Sequence, residues 1–216
     1  MVGRPRVHPG DGVVSAMSRE LSGPDTREWM QRFIDLFTQQ REALAELDRR
    51  TGDGDFGTNL ASALRQASRR MFEGPSDTAS AVFARVSEGF LDTGGTSGPL
   101  FGMWFRELAK AMARSADAGA LAAGVAAGVA TVQRLGHAQV GDKTMVDAMV
   151  PAAEAMTGQD LDADLAAAAE AARTGAASTQ KLRARRGRSS YLGDVAIGVL
   201  DPGAVTVALF FESARA

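Results

Sequence analysis

The chain has 216 residues and a formal charge of −2 at pH 7, which suits one well-buried domain and leaves little room for two. The balanced charge gives no electrostatic reason to expect nucleic acid or an anionic membrane as a partner. The absence of cysteine excludes disulfides, thiol catalysis and cysteine-based zinc sites. Because the N-terminus has no apolar signal-peptide core, we expect a cytoplasmic protein.

The N-terminal segment differs in composition from the rest of the chain. Residues 1–22 are rich in Gly, Pro, Arg and Ser and show no apolar period, so we expect a flexible tail before a single domain over residues 23–216. Asp25, with Glu28 three residues later, is typical of a helix start. Apolar residues then recur at near-helical spacing as far as Leu47, which predicts a first helix.

An aspartate-rich and glycine-rich segment follows this helix. Three carboxylates converge within eight residues, and between and after them stand glycines that let a ligand approach the backbone; the residues are Asp48, Asp53, Asp55, Gly52, Gly54 and Gly57. We expect one carboxylate at the helix end and two on the following turn. Hard oxygen donors in this arrangement are the ligands that Mg²⁺ prefers when it also holds phosphates.

Two known ligand-binding motifs match this loop only in part. It matches the dinucleotide pattern GxGxxG, but that pattern follows a strand, whereas residues 43–50 are rich in helix formers. A calcium-binding EF-hand loop starting at Asp53 would need oxygen ligands where Gly57 and Leu64 stand. A plain Asp/Gly turn between two helices, with surface acids, remains the simplest alternative.

The next helices are bounded by clear turn signals. We predict a second helix over residues 59–72, and a third that begins at Ser76 or Asp77 and ends near Leu91. The following turn, residues 94–98, leads into a fourth helix and carries hydroxyls and glycines that suit an anion at a helix N-terminus. Taken alone, an ordinary capped turn explains it equally well.

Four further helices complete the prediction. Three of them cover residues 116–135, 144–156 and 160–183. The last has Asp201 as N-cap and Pro202 at the first helical position, and it continues through residues 204–214. Gly124 and Gly128 lie in an uncharged stretch too short to cross a bilayer, so we expect close helix packing there. Lys143 could approach a phosphate, but a loop lysine is usually solvated. We also expect the basic run 181–188 to be solvated, apart from Arg188.

The pattern as a whole predicts an all-α protein. Eight amphipathic helices joined by short turns, without a convincing strand, are typical of an antiparallel eight-helix barrel or bundle. The loops with ligand chemistry follow the first, third, fifth and seventh helices. Every second connection of an up-down array lies at the same end, so we expect these loops to meet at one rim.

Four segments resemble one known family. They are LDRRTGDGDFGTN (residues 47–59), GGTSGPLFG (94–102), GDKTMVDAMVPA (141–152) and RRGRSSYLGDVAIGVLDPGA (185–204), and they occur in the order found in the L-type, ADP-binding subunit of dihydroxyacetone kinases. The resemblance extends over about residues 26–214. It implies a barrel of antiparallel helices that holds a nucleotide through two Mg²⁺ ions. Phe56 departs from the histidine or threonine expected at its position.

Loop chemistry and the resemblance together nominate the site residues. The metal ligands are Asp48, Asp53 and Asp55. The nucleotide contacts are Phe56, Gly57, Thr58, Asn59, Thr96, Ser97, Gly136, Met145, Arg188, Asp201, Pro202 and Gly203; those from Gly136 onward are implied by the resemblance alone.

This site predicts phosphoryl transfer by positioning and charge neutralisation. The chain offers no convincing general base, and the resemblance implies a separate K-type subunit that binds the ketose. The phosphate source is either exchangeable ATP or a retained ADP that a phosphotransferase-system protein rephosphorylates. The short tail and the end of the chain soon after the last helix favour retained ADP. A regulatory Mg-nucleotide module and a helical scaffold are the alternative functions, and the oligomeric state, with a homodimer among the options, is open.

Overall fold

The computed structural model describes residues 19–74 and 76–214, apart from the side chain of Leu192. These residues form eight α-helices and no strand, which confirms the predicted all-α class. The helices are α1 Gly23–Thr51, α2 Phe56–Glu73, α3 Ala79–Leu91, α4 Ser97–Met112, α5 Ala118–Gly136, α6 Val146–Ala155, α7 Leu161–Ser178 and α8 Pro202–Glu212. Two 3₁₀ segments, Thr179–Lys181 and Arg188–Ala196, lie between α7 and α8.

Helices that are neighbours in the sequence are also neighbours in space. Each of α1 to α7 packs against the next helix, and α8 packs against α7, α6 and α1. The contact between α8 and α1 closes the ring, which therefore has the barrel topology that the loop spacing predicts. The short connections make such side-by-side packing the simplest arrangement of successive helices.

Aromatic side chains fill the centre of the ring. Phe210 of α8 lies within ring-contact distance of Trp29, Phe33, Trp104 and Phe105. Its carbonyl also accepts a hydrogen bond of 2.8 Å from the Trp29 indole N–H. Helix α8 is apolar on nearly all sides and almost every residue of it is buried, as expected for a helix surrounded by others.

Close contact between α4 and α5 depends on small residues. A Cβ atom at Gly128 would lie 2.1 Å from the Trp104 ring, and one at Gly124 would lie 3.1 Å from the Leu108 Cα. The predicted role of this glycine pair in helix packing is confirmed. Within the described part of the chain, α5 alone is long and apolar enough to cross a membrane, judged only by length and composition.

Several helix starts differ from the predictions. The Ser22 side chain, and not Asp25, caps α1 by accepting a hydrogen bond of 3.1 Å from the Asp25 N–H. Helix α3 is capped by Thr78, whose hydroxyl accepts from the Ala81 N–H at 3.2 Å. Both differences have one cause. Serine, threonine and aspartate can all act as N-caps, and each of these segments contains more than one of them within a few residues.

Part of the predicted tail is tied to the domain. Leu21 is buried, and its N–H donates to the Ala116 carbonyl at 2.7 Å. Ser22 forms an isolated antiparallel bridge with Thr78. Leu21 and Ser22, at the end of the predicted tail, therefore contact the domain. Residues 1–18 of that tail lie outside the described residues.

Candidate functional site

Four loops line one cavity. The segments 52–55, 92–96, 137–145 and 179–201, which follow α1, α3, α5 and α7, all contribute to a cavity of about 180 Å³. The structure thus brings together loops that are more than a hundred residues apart. Of the predicted site residues, the cavity is lined by Asp48, Asp53, Asp55, Phe56, Asn59, Thr96, Ser97, Gly136, Met145, Arg188, Asp201, Pro202 and Gly203.

Two predicted contacts do not line the cavity. Gly57 is buried against α1, where an added Cβ atom would lie 3.1 Å from both the Ala45 Cβ and the Arg41 carbonyl oxygen. Thr58 is exposed on the first turn of α2. Helix α2 begins at Phe56 and not at the predicted Asn59, and this earlier start turns both residues away from the cavity.

The buried carboxylate of Asp48 organises the acidic loop. One oxygen, Oδ2, accepts a hydrogen bond of 2.9 Å from the Phe56 N–H, which supplies a partner for a free N–H at the start of α2. The other oxygen, Oδ1, lies close to Gly52: a Cβ atom added at Gly52 would be only 2.4 Å from it. A side chain at Gly52 would therefore displace this carboxylate from the loop.

The other two carboxylates are exposed and share a cation. The Asp55 N–H is 3.4 Å from Asp53 Oδ1, a weak tie. The Arg188 guanidinium forms an ion pair with Asp53 and lies 3.9 Å from Asp55 Oδ2. Among residues 19–74 and 76–214, no three Asp, Glu or His side chains are arranged to hold a metal ion as they stand.

The donor set nevertheless fits Mg²⁺ by its chemistry. Asp48, Asp53 and Asp55 all line the same cavity and supply only hard oxygen donors. The guanidinium of Arg188 already places positive charge against two of them. A divalent cation bound by these carboxylates would therefore have to displace Arg188 from Asp53.

The N-terminus of α4 faces the cavity. Thr96 and Ser97 line it, and the Thr96 side chain makes no capping hydrogen bond. The backbone turns sharply at Gly95, with φ of +96°, and an added Cβ atom there would lie 3.2 Å from the Asn59 amide nitrogen. Free N–H groups at the start of a sixteen-residue helix favour an anionic ligand.

Lys143 is buried, which corrects the expectation of a solvated loop lysine. Its side chain is 2% exposed, and its ammonium Nζ donates to the carbonyl oxygens of Thr179 and Val199, both at 2.5 Å. Burial lowers the pKa of this ammonium, while the carboxylates of Asp201 and Asp147 counteract the shift. The Thr179 carbonyl also accepts from the Leu182 N–H, three residues later. Because this carbonyl has both of these partners, the hydrogen bond from Lys143 helps to explain why α7 ends at Ser178.

Asp147 shapes the loop that carries Lys143. Its two carboxylate oxygens accept hydrogen bonds from the N–H groups of Gly141, at 2.6 Å, and Thr144, at 2.7 Å. Sequence reasoning missed this residue, although Thr144 followed three residues later by an acid is a recognisable helix-start pattern. The loop is consequently preformed, with Gly141 and Lys143 both at positive φ.

Asp201 connects this loop to α8. Its Oδ1 accepts from the Ala204 N–H at 2.7 Å, which confirms the predicted N-cap. Its own N–H donates to the Thr179 hydroxyl at 2.9 Å. Burial raises the pKa of the Asp201 carboxyl to about 7; the Ala204 hydrogen bond opposes the shift and the Asp147 charge adds to it.

The lining of the cavity changes from charged to apolar. The acidic loop, Arg188 and the start of α4 form the charged end. The rest of the lining is largely apolar and includes Leu100, Val132, Ala138, Met145, Val146 and Pro202; we call this part the apolar end. Such a cavity suits a ligand with a charged part and a flat apolar part.

Fold and cavity together define a class of protein: a ring of helices with a cavity lined by the loops that follow α1, α3, α5 and α7. The comparison with family models then narrows the class. A model described as the DAK2 domain matches residues 50–216. The chain belongs to the DAK2 domain family.

Individual relatives agree with this assignment. The chain is 34% identical over 187 residues to the PEP-dependent dihydroxyacetone kinase 1, ADP-binding subunit DhaL of Listeria innocua, covering 86% of this chain and 91% of the relative. It is also 34% identical to the PTS-dependent dihydroxyacetone kinase, ADP-binding subunit DhaL of Lactococcus lactis, covering 87% and 94%.

A solved structure shares the fold. The dihydroxyacetone kinase from C. freundii, in complex with AMP-PNP and Mg²⁺, superposes with a TM-score of 0.67 at 27% identity. The match covers 99% of this chain but only 38% of that one. The chain therefore corresponds to about two fifths of the larger kinase.

Proposed function

We propose that this protein is the nucleotide-binding subunit of a kinase that phosphorylates dihydroxyacetone or a related ketose. The observation that carries the proposal is the meeting of an acidic loop, a helix N-terminus and an apolar wall in one cavity. The names of the relatives, which are ADP-binding kinase subunits, support the same conclusion. A helical scaffold without a ligand would not need this mixture of linings.

Asp48, Asp53 and Asp55 would hold Mg²⁺, and we propose two ions because the polyphosphate brings several further charges. Bound Mg²⁺ would supply neutralisation of the phosphate charge that develops during transfer. Arg188, released from Asp53, would then be free to pair with phosphate oxygens, for which a guanidinium is well suited. Thr96 and Ser97 would hold phosphate through N–H groups at the start of α4.

The apolar end of the cavity would take the base. Met145 and Gly203 face each other there, since a Cβ atom at Gly203 would lie 3.3 Å from the Met145 Cβ. Gly136, Asp201 and Pro202 complete the lining. We assign Phe56 and Asn59 to the phosphate side, while Gly57 serves the packing of α2 against α1, and Thr58 has no contact that favours a direct role.

A partner must supply the acceptor and its chemistry. The Asp201 carboxyl, whose pKa is about 7, caps α8 through Oδ1 and is therefore engaged in the fold. We assign no general base to this chain and propose a K-type subunit that binds the sugar. Exposed apolar side chains surround the cavity loops, namely Leu135, Val140, Tyr191, Val195 and Ile197, and such side chains are typical of interaction surfaces. A phosphotransferase-system protein is the proposed phosphodonor, and a cytoplasmic location follows from these partners.

Calorimetry with ADP tests the nucleotide site. We expect binding in Mg²⁺ buffer and at least about 100-fold weaker binding in EDTA, because three carboxylates repel a polyphosphate without a metal. The double variant Asp53→Ala/Asp55→Ala should show the same loss in Mg²⁺. Asp35→Ala, an exposed acid on α1 away from the loop, is the matched control; undiminished affinity in EDTA would refute the site.

Activity assays test the subunit assignment. The purified chain should not phosphorylate dihydroxyacetone by itself and should do so when a K-type subunit is added. Turnover by the chain alone would contradict the proposal.

The nucleotide content of the purified protein tests the phosphate source. If ADP is a retained cofactor, protein purified in Mg²⁺ buffer should release near-stoichiometric ADP on denaturation. An empty site with rapid ATP exchange would instead favour ATP as a substrate.

A further inference from the structure

We infer that Lys143 is a positioning residue for the nucleoside end of the cavity, through the buried contacts of its ammonium group. The inference rests on the proposed function and adds a residue to it. Lys143 lines the cavity, and its ammonium joins two of the segments that form the cavity's walls.

The Lys143 ammonium joins three separate segments. It belongs to the loop after α5 and donates to carbonyls at the end of α7, Thr179, and just before α8, Val199. Thr179 in turn accepts the Asp201 N–H through its hydroxyl. One buried cation therefore sets the distance between the loop of Met145 and the segment that starts α8.

A charged donor suits this position better than any neutral side chain. An ammonium has three hydrogens, so it can satisfy two buried carbonyls and still face a carboxylate. The charged groups around it are Asp147, from its own loop, and Asp201, from the segment it binds. Without the lysine, the two carbonyls would lose their buried donor and the two acids would face each other without a cation.

The apolar wall depends directly on this tie. Met145 lies two residues after Lys143, and Gly203 lies four residues after Val199. Met145 and Gly203 pack against each other. Lys143 itself has φ of +62°, an uncommon conformation for a residue with a side chain. If the ammonium bonds were lost, the backbone at Lys143 could relax and the spacing between Met145 and Gly203 would change.

The charged end of the cavity is built by different residues. Asp53 and Asp55 and the start of α4 make no hydrogen bond with Lys143 or its two carbonyl partners in the described structure. Loss of the lysine should therefore weaken ligands that have a nucleoside and spare ligands that are only phosphate. A general loss of structure would weaken both.

The test compares Mg-ADP with Mg-pyrophosphate by calorimetry in Lys143→Met. We expect ADP to bind at least about tenfold more weakly, a change of about 1.4 kcal/mol, and pyrophosphate to bind within about twofold of the unmodified protein. Lys143→Arg, which keeps a charged donor, should recover part of the ADP affinity. Lys181→Met, an exposed lysine two residues from Thr179, is the control and should leave both affinities unchanged.

Thr179→Val provides a second, milder variant if Lys143→Met does not fold. It removes the hydroxyl that holds the Asp201 N–H and keeps the carbonyl bound by Lys143, so ADP should again lose more affinity than pyrophosphate. Equal losses for the two ligands, or unchanged ADP affinity in a folded Lys143→Met, would overturn the inference. Failure of the unmodified protein to bind either ligand would instead overturn the proposed function.

Discussion

The two ends of the cavity are built in different ways. At the charged end, Asp53 and Asp55 are exposed, and the tie between them is a long contact of 3.4 Å. At the other end, Lys143 and Asp147 are both 2% exposed, and their hydrogen bonds measure 2.5 to 2.7 Å. The charged end has few internal bonds, whereas the buried end is held by several.

This difference shows which end depends on the ligand. Carboxylates that repel each other stay close only when a cation lies between them, and Arg188 now has that place beside Asp53. The buried end needs no ligand, because Lys143, Asp147 and Asp201 all form hydrogen bonds with the surrounding backbone. Under the proposed function, folding would form the nucleoside end and metal binding would complete the phosphate end.

Removing a carboxylate should cost much more stability at the buried end than at the charged end. Asp147→Ala should lower the free energy of unfolding by about 2–4 kcal/mol, because it leaves two N–H groups without an acceptor and removes one of the two carboxylate charges near the buried Lys143 ammonium. Asp53→Ala/Asp55→Ala should change it by no more than about 0.5 kcal/mol, as is usual for exposed sites. Urea unfolding without metal measures both values.

The control for this comparison is Asp162→Ala, an exposed acid on α7 that pairs with Arg19. It should behave like the exposed double variant. Similar destabilisation by Asp147→Ala and by the exposed variants would mean that the two ends do not differ in the way their hydrogen bonds indicate.

Arg188→Gln should separate metal binding from nucleotide binding at the charged end. Without the guanidinium, Asp53 loses its competing cation, so Mn²⁺ alone should bind several-fold more tightly. Mg-ADP should bind about tenfold more weakly, since a charged phosphate partner is lost. Calorimetry with each ligand measures the two affinities, and Arg183→Gln, from the same basic segment, is the control. If Mn²⁺ affinity and Mg-ADP affinity change in the same direction in Arg188→Gln, the proposed exchange of partners is contradicted.

A smaller effect of pH is expected from Asp201 at the buried end. Its folded-state pKa of about 7 lies above the usual value for aspartate, so the folded protein holds more protons than the unfolded one between about pH 4 and 7. The free energy of unfolding should therefore fall as the pH rises through this range. We expect a contribution of about 1 kcal/mol, less than the full shift implies because the side chain is only partly buried.

Asp201→Asn should remove this contribution while its amide oxygen still caps α8. Unfolding in urea at pH 5, 6, 7 and 8, without nucleotide or metal, should give a flatter profile for the variant than for the unmodified protein. Parallel profiles would mean that the carboxyl is ionised across the whole range and that the buried end is more accessible to water than its contacts indicate.

Local patterns in the sequence were sufficient for much of the fold. The helical period and the turn residues predicted eight helices, and the Asp201-Pro202 pair predicted the start of α8 correctly because an N-cap needs only residues a few positions apart. The order of the loops was enough to predict that they share one end, since consecutive helices with short connections alternate in direction.

Long-range contacts decided the rest. The Asp48 carboxylate accepts the Phe56 N–H from eight residues away, and α2 begins there, earlier than predicted. Lys143 appeared to be a solvated loop residue because its carbonyl partners lie 36 and 56 residues further along the chain. Local patterns were thus enough to predict the helices, the order of the loops and the types of side chain at the site. They could not predict which of these side chains are buried and paired, because burial and pairing depend on groups that meet after the ring has closed.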